Sequence, residues 1–65
     1  MKILLGKILY KRNISYRQLS IMTGIPKSTI ADICNGLTVP RIDTLETIAK
    51  ALNVRISDLF ESDFK

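Results

Sequence analysis

Apolar residues recur along this chain at the three- and four-residue spacing of an amphipathic helix, and the alternation typical of strands is absent. The first apolar stripe predicts a helix that stops at Asn13; its inward residues are Leu4, Leu5, Ile8 and Leu9. The longest stripe predicts a helix between Pro40 and Asn53; its inward residues are Ile42, Leu45, Ile48, Ala49 and Leu52. A short segment, Ser57–Phe60, is interpreted as one more helix near the C-terminus.

A second helix is predicted to begin at Ser15, because Ser15 and Gln18 have the spacing of a capping box. Leu19 and Met22 are expected to face the core. The helix is expected to end at Gly24, since glycine readily takes the left-handed conformation that closes many helices.

A third helix is predicted to open with Pro26 in its first turn, where a missing N–H does no harm. Ile30 and Ile33 form its inner face, and the Asn35-Gly36 pair ends it. The pattern as a whole predicts an all-α fold: one compact five-helix domain over residues 1–65.

The second and third helices are joined by only three or four residues around Gly24, which is the arrangement of a helix-turn-helix. Two helices that cross closely need a small residue at the contact, and Ser20 is small. The turn needs a positive φ, which Gly24 adopts at little steric cost. Apolar residues that can hold the two helices together occur at suitable offsets: Leu19, Ile25, Ile30 and Ile33.

Composition excludes several kinds of site. The chain has one cysteine and no histidine, so neither an internal disulfide nor an ordinary zinc site can form. Without histidine, a serine or cysteine nucleophile lacks its usual base, and no glycine-rich phosphate loop is present. We therefore expect no enzyme activity, no catalytic residues, no metal and no cofactor.

Charge is distributed unevenly along the chain, whose net charge is +4. Residues 1–41 contain seven basic residues and one acidic residue, whereas residues 42–65 contain three basic and five acidic residues. A basic N-terminal segment and a mildly acidic C-terminal segment are consistent with one surface that binds a polyanion. The alternative is that the charges are scattered over the surface of an ordinary protein.

The N-terminal MKILLGKILYKR contains an apolar run that Lys7 interrupts early, with no small-residue cleavage site after it. The run is also far shorter than the roughly 20 apolar residues that span a bilayer. We expect a cytoplasmic protein without a membrane partner.

Two longer segments carry a family resemblance: SYRQLSIMTGIPKSTIADICNG, and, after Pro40, LETIAKALNVRISDLF. With these segments the chain closely resembles the lambda-repressor/Cro-like helix-turn-helix regulators, also called the XRE family, from about Leu4 to Phe60. The resemblance implies a lambda-repressor-like DNA-binding domain whose recognition helix, Lys27 to Asn35, enters the major groove of double-stranded DNA.

The resemblance also assigns candidate DNA contacts. With Ile30 and Ile33 turned inward, the outward residues of the recognition helix are expected to contact bases: Lys27, Ser28, Ala31 and Asp32. The expected phosphate contacts are Tyr16, Arg17, Thr29, Asn35, Thr38 and Arg41. The alternative is that the outward residues of this helix contact only water and not DNA.

The chain departs from the family pattern at four positions: Leu9, Tyr16, Thr23 and Cys34. Thr23 stands where an aliphatic residue is more common, and its hydroxyl is expected to bond its own helix. Many relatives carry glutamine where this chain has Tyr16, so this phosphate contact would use the phenol hydroxyl. An arginine–glutamate pair of the family corresponds here to Leu9 and Cys34, two apolar groups that avoid an unpaired buried charge. Cys34 is accordingly interpreted as a small buried hydrophobe and not as a redox sensor.

One recognition helix reads only a few base pairs, so family members usually bind inverted repeats as homodimers. A dimer interface is expected at Leu59, Phe60 and Phe64. Alternatively, Leu59 and Phe60 close the monomer core, and at least Leu59 is expected to do so. The predicted function is a sequence-specific transcriptional regulator, and in particular a repressor. The alternative is an antitoxin-type protein that binds a partner toxin and autoregulates its own promoter.

Overall fold

The computed structural model describes residues 2–63, and this part of the chain contains four α-helices, one 3-10 turn and two short strands. The helices are α1 (Leu5–Arg12), α2 (Tyr16–Thr23), α3 (Lys27–Cys34) and α4 (Ile42–Leu52). The 3-10 turn covers Ile56–Leu59, and the strands are β1 (Lys2–Ile3) and β2 (Phe60–Glu61). The mostly helical class is therefore confirmed, while the prediction of five helices is wrong.

The segment expected to form a fifth helix is a 3-10 turn because its flanks leave it no room to continue. Arg55 before it and Phe60 after it are both extended, which leaves only four residues between them. The Arg55 N–H donates to the Asp58 carboxylate at 3.0 Å, and the Asp58 N–H donates back to the Arg55 carbonyl at 3.0 Å. These two hydrogen bonds close the tight turn typical of 3-10 geometry.

The two strands join the ends of the described chain in an antiparallel pair. Lys2 lies opposite Glu61 and Ile3 lies opposite Phe60, and the Leu4 N–H extends the pairing by donating to the Leu59 carbonyl at 2.8 Å. Strands of two residues are too short to show any periodicity. The hydrophobic pattern therefore does not predict them.

A single apolar core lies between the helices and the 3-10 turn. Its buried residues are Leu5, Leu9, Leu19, Ile30, Ile33, Leu45, Ile48, Ala49, Leu52 and Leu59. Two expected core residues are instead exposed: Met22 by 44% and Ile42 by 68%. Met22 belongs to a helix of eight residues that buries only Leu19, and Ile42 opens α4 ahead of its first core residue.

The residues predicted to end α1 and α4 are confirmed. Asn13 after α1 and Asn53 after α4 adopt the left-handed conformation, with φ of 58° and 56°. The Arg12 guanidinium donates to the Leu52 carbonyl and so joins the C-terminal ends of these two helices. A cation is stabilised at a helix C-terminus, where the backbone carbonyls are unpaired.

No helix within residues 2–63 has the length and apolar character needed to cross a membrane.

Candidate nucleic-acid interface

The connection between α2 and α3 has the geometry predicted for a helix-turn-helix. Gly24 takes φ 77° and ψ 5°, the left-handed conformation, and its N–H donates to the Ser20 carbonyl at 2.8 Å. The predicted N-cap of α2 is also present, since Ser15 Oγ accepts the Gln18 N–H at 3.0 Å. Both ends of α2 are therefore formed by the residues that the sequence indicated.

Three side-chain hydrogen bonds hold the turn itself. The Ser20 hydroxyl donates to the Ile25 carbonyl at 2.6 Å, across the point where the two helices meet. The Thr23 hydroxyl donates to the Leu19 carbonyl at 2.8 Å and accepts the Ile25 N–H at 3.2 Å. The two bonds to Ile25 connect the end of α2 to the backbone that leads into α3, and so they help to hold the turn.

Sequence reasoning identified Ser20 only as a small residue and Thr23 only as a polar group that bonds its own helix. The structure gives each of them a further bond to Ile25 in the turn. The available signal was the position of both hydroxyls within one helical turn of Gly24, because serine and threonine hydroxyls commonly bond nearby backbone groups.

The recognition helix α3 has one buried face and one open face. Ile30 and Ile33 are fully buried against the rest of the core. The residues expected to read bases lie on the opposite side; Lys27, Ser28 and Asp32 are exposed and Ala31 is half-buried. The helix is eight residues long, so its open face covers only about 12 Å along the axis.

The residues expected to contact phosphate lie at the ends of three helices. Tyr16 and Arg17 open α2, Asn35 and Thr38 follow α3, and Arg41 precedes α4. Tyr16 is half-buried and the other four are exposed. Thr29, the sixth expected contact, is half-buried within α3.

The Arg41 side chain is 86% exposed and lies near Asp43, with 3.6 Å between Arg41 Nε and Asp43 Oδ1. An ion pair at this exposure contributes little to stability. Asp43 also accepts the Thr44 N–H at 2.9 Å, so its carboxylate has a partner without Arg41. Arg41 can therefore turn towards a phosphate at little energetic cost.

Tyr16 and Cys34 lie close enough to affect each other's ionisation. The charge that the Cys34 thiolate would carry raises the pKa of Tyr16, and burial raises the pKa of Cys34. Both shifts favour the protonated group, and a protonated Tyr16 hydroxyl is able to donate a hydrogen bond.

Cys34 packs against the core as a small apolar residue, but it is half-buried, whereas the sequence predicted a buried residue. A Cβ added to Gly6 would lie 3.6 Å from the Cys34 Cβ, so α1 and α3 approach closely at this point. Cys34 is half-buried and Leu9 is buried, which places both of the apolar replacements against the core.

The residues expected at a dimer interface have different positions in the fold. Leu59 is 0% exposed, so it belongs to the monomer core and its assignment to an interface is corrected. Phe60 is half-buried in β2 and packs against the core. Phe64 lies outside the described residues.

A left-handed glycine turn, a hydrogen-bonded helix crossing and a polar outer face on the second helix together define a helix-turn-helix DNA-binding protein. A family model of the Cro/C1-type HTH DNA-binding domain matches residues 5–65, and the chain belongs to this family. The match confirms the suspected resemblance to Cro-like regulators. No curated protein matches the chain.

Proposed function

We propose that this chain, as one domain over residues 1–65, is a cytoplasmic transcriptional repressor that binds an inverted-repeat operator as a homodimer. The observation that carries the proposal is α3: one face is fully buried, while Lys27, Ser28 and Asp32 stand exposed on the other. An eight-residue helix with a polar outer face fits the major groove. Repression would follow from occupying the promoter, without a catalytic step or a cofactor.

The outward residues of α3 suggest particular base contacts. Lys27 is suited to donate to guanine O6 or N7, and Asp32 to accept from cytosine N4. Ser28 can pair with several bases, and the methyl group of Ala31 suits a thymine methyl. These four side chains would therefore determine sequence preference.

Phosphate contacts would set the position of α3 in the groove without reading sequence. Tyr16, Arg17 and Thr29 would bind on one side of the recognition helix, and Asn35, Thr38 and Arg41 would bind after it. Support comes from the exposure of Asn35, Thr38 and Arg41 on one continuous loop between α3 and α4.

A homodimer is proposed because the open face of α3 spans only a few base pairs. Two copies related by a two-fold axis would read half-sites about 34 Å apart, or a multiple of it. We place the contact at Phe60 and Phe64, without Leu59. Sedimentation of the protein at high concentration, with and without operator DNA, should reveal the dimer; monomer under both conditions would contradict it.

Selection of binding sites from random duplexes, followed by gel shifts at several salt concentrations, tests the central proposal. Enrichment of an inverted repeat is expected. Lys27→Ala or Asp32→Ala should change base preference at defined positions by about 1–3 kcal/mol, whereas Arg41→Ala should weaken all sequences alike. Lys50→Ala, on the exposed side of α4, is the control and should change neither. Binding that shows no sequence preference would refute the proposal.

Exposed apolar residues favour a second candidate, the antitoxin-type function. Leu37 and Val39 are 75% and 77% exposed, in the loop that follows α3. A partner protein could cover them, since exposed apolar patches often mark protein-binding surfaces. Co-expression with the product of an adjacent reading frame tests this: a stable complex that Leu37→Ser and Val39→Ser disrupt would support it.

A further inference from the structure

A cleft of about 350 Å³ lies between β1 and the loop that joins α3 to α4. Lys2 of β1 and the loop residues Asn35, Thr38 and Val39 are among the residues that line the cleft, together with Ile33 and Cys34 of α3. The cleft therefore extends the row of proposed phosphate contacts after α3 to a residue near the N-terminus. Sequence reasoning assigned no role to Lys2.

The loop side of the cleft offers several unused hydrogen-bond donors. Within residues 2–63, the side chains of Asn35 and Thr38 have no protein partner, and the backbone N–H groups of Thr38 and Val39 donate to no protein acceptor. All three residues are exposed, so water satisfies these groups in the free protein. Amide, hydroxyl and backbone N–H donors are the groups that commonly contact phosphate oxygens in DNA complexes.

Lys2 contributes a positively charged side chain to the lining of the cleft, on a backbone that the strand pair holds in place. Pairing with β2 holds the backbone of Lys2, and the Leu4 N–H bond to the Leu59 carbonyl anchors the chain two residues further on. Within the described chain the Lys2 ammonium group lies in no ion pair. Glu61 is directly across from Lys2 in the two-stranded ribbon, so its side chain lies on the same face.

We propose that Lys2, together with Asn35 and Thr38, binds a phosphate of the DNA backbone in this cleft. The inference rests on the proposed function and adds to it a contact supplied by the strand pair. Glu61 opposes the contact, because its negative charge lies beside Lys2. The shape of the cleft and its donors suit any phosphate, so the test separates a DNA phosphate from the free ion.

The experiment measures affinity for the selected operator and for an unrelated duplex, across a series of salt concentrations, in Lys2→Gln, Lys2→Arg and Lys50→Gln. Lys2→Gln should weaken both duplexes alike and lower the salt slope by about 0.9, so that its loss is about three- to four-fold greater at 50 mM than at 200 mM salt. Lys2→Arg should keep the wild-type slope. Lys50→Gln removes the same charge near the far end of α4, about 13 Å along the axis from Arg41, and should leave the slope unchanged.

Glu61→Gln gives a test of opposite sign. Glu61→Gln should bind both duplexes more tightly at low salt. If Lys2 and Glu61 instead only stabilise the strand pair, Lys2→Gln and Glu61→Gln should both lower the melting temperature and leave the salt slope of DNA binding unchanged. If Lys2→Gln keeps the salt slope of the wild type while the wild-type protein still selects an operator, the inference about the cleft is wrong but the proposed function stands. If the wild-type protein selects no operator, the proposed function itself fails. Inorganic phosphate that displaces DNA equally well from the wild-type protein and from Lys2→Gln would also contradict a phosphate site at Lys2.

Discussion

Two alanine substitutions should change stability in opposite directions, because they add the same methyl group to two different backbone conformations. Gly24 has φ 77°, and a Cβ built there meets no atom within 4 Å. The cost of Gly24→Ala is therefore the left-handed backbone alone, about 1–2 kcal/mol. Gly6 lies in helical backbone, and its added Cβ would make ordinary contacts of 3.6 and 3.8 Å with Cys34.

Gly6→Ala should therefore stabilise the protein by about 0.5–1 kcal/mol, since alanine is favoured over glycine in a helix. Gly24→Ala should lower the free energy of unfolding by roughly 1–2 kcal/mol. Alanine also reduces the conformational entropy of the unfolded chain, but this stabilising effect is smaller than the cost of the left-handed backbone. Gly36→Ala provides a replicate: Gly36 has φ 74° and equally open surroundings, so its loss should match that of Gly24→Ala.

Urea unfolding followed by circular dichroism measures these differences, provided that the m-value stays the same in each variant. Thermal unfolding should agree, with a shift of about 4–8 °C for each kcal/mol in a domain of this size. A Gly24→Ala variant as stable as the wild type would show that the turn can do without a left-handed residue. A destabilised Gly6→Ala would show that α1 and α3 pack more tightly than the 3.6 Å separation indicates.

Three further changes test the core, the turn and the thiol. Leu59→Ala should destabilise the monomer by about 2–5 kcal/mol in urea titrations, because a fully buried leucine leaves a cavity; a loss seen only at dimer-forming concentrations would contradict this. Ser20→Ala should cost about 1 kcal/mol, since the Ile25 carbonyl loses its donor, whereas Ser28→Ala on the exposed face should stay within about 0.5 kcal/mol. Burial raises the pKa of Cys34, so the native state holds this proton more strongly than the unfolded chain does. The stabilisation of the native state by this protonated thiol is complete below the ordinary thiol pKa of about 8.5 and is lost as the pH rises above that value. The urea midpoint of unfolding should therefore fall as the pH rises above about 8.5, and it should fall less in Cys34→Ala.

Local sequence signals predicted the parts of the fold that depend on neighbouring residues. Gly24, Asn13 and Asn53 end their helices in the left-handed conformation, which glycine and asparagine adopt more readily than other residues. Ile30 and Ile33 are buried because their three-residue spacing places both on one face of a helix. The same spacing leaves Lys27 and Asp32 outside, so the candidate base-reading face follows from the sequence.

The sequence by itself thus determined the helical class, the helix-turn-helix and the exposed face of α3. The tertiary structure alone decided the conformation of residues 56–61, where a 3-10 turn and a strand paired with β1 replace the expected fifth helix. It also decided that Lys2 and Thr38 line the same cleft. Periodicity and capping act within a few residues, whereas these features depend on contacts between residues far apart in the chain, which no local pattern encodes.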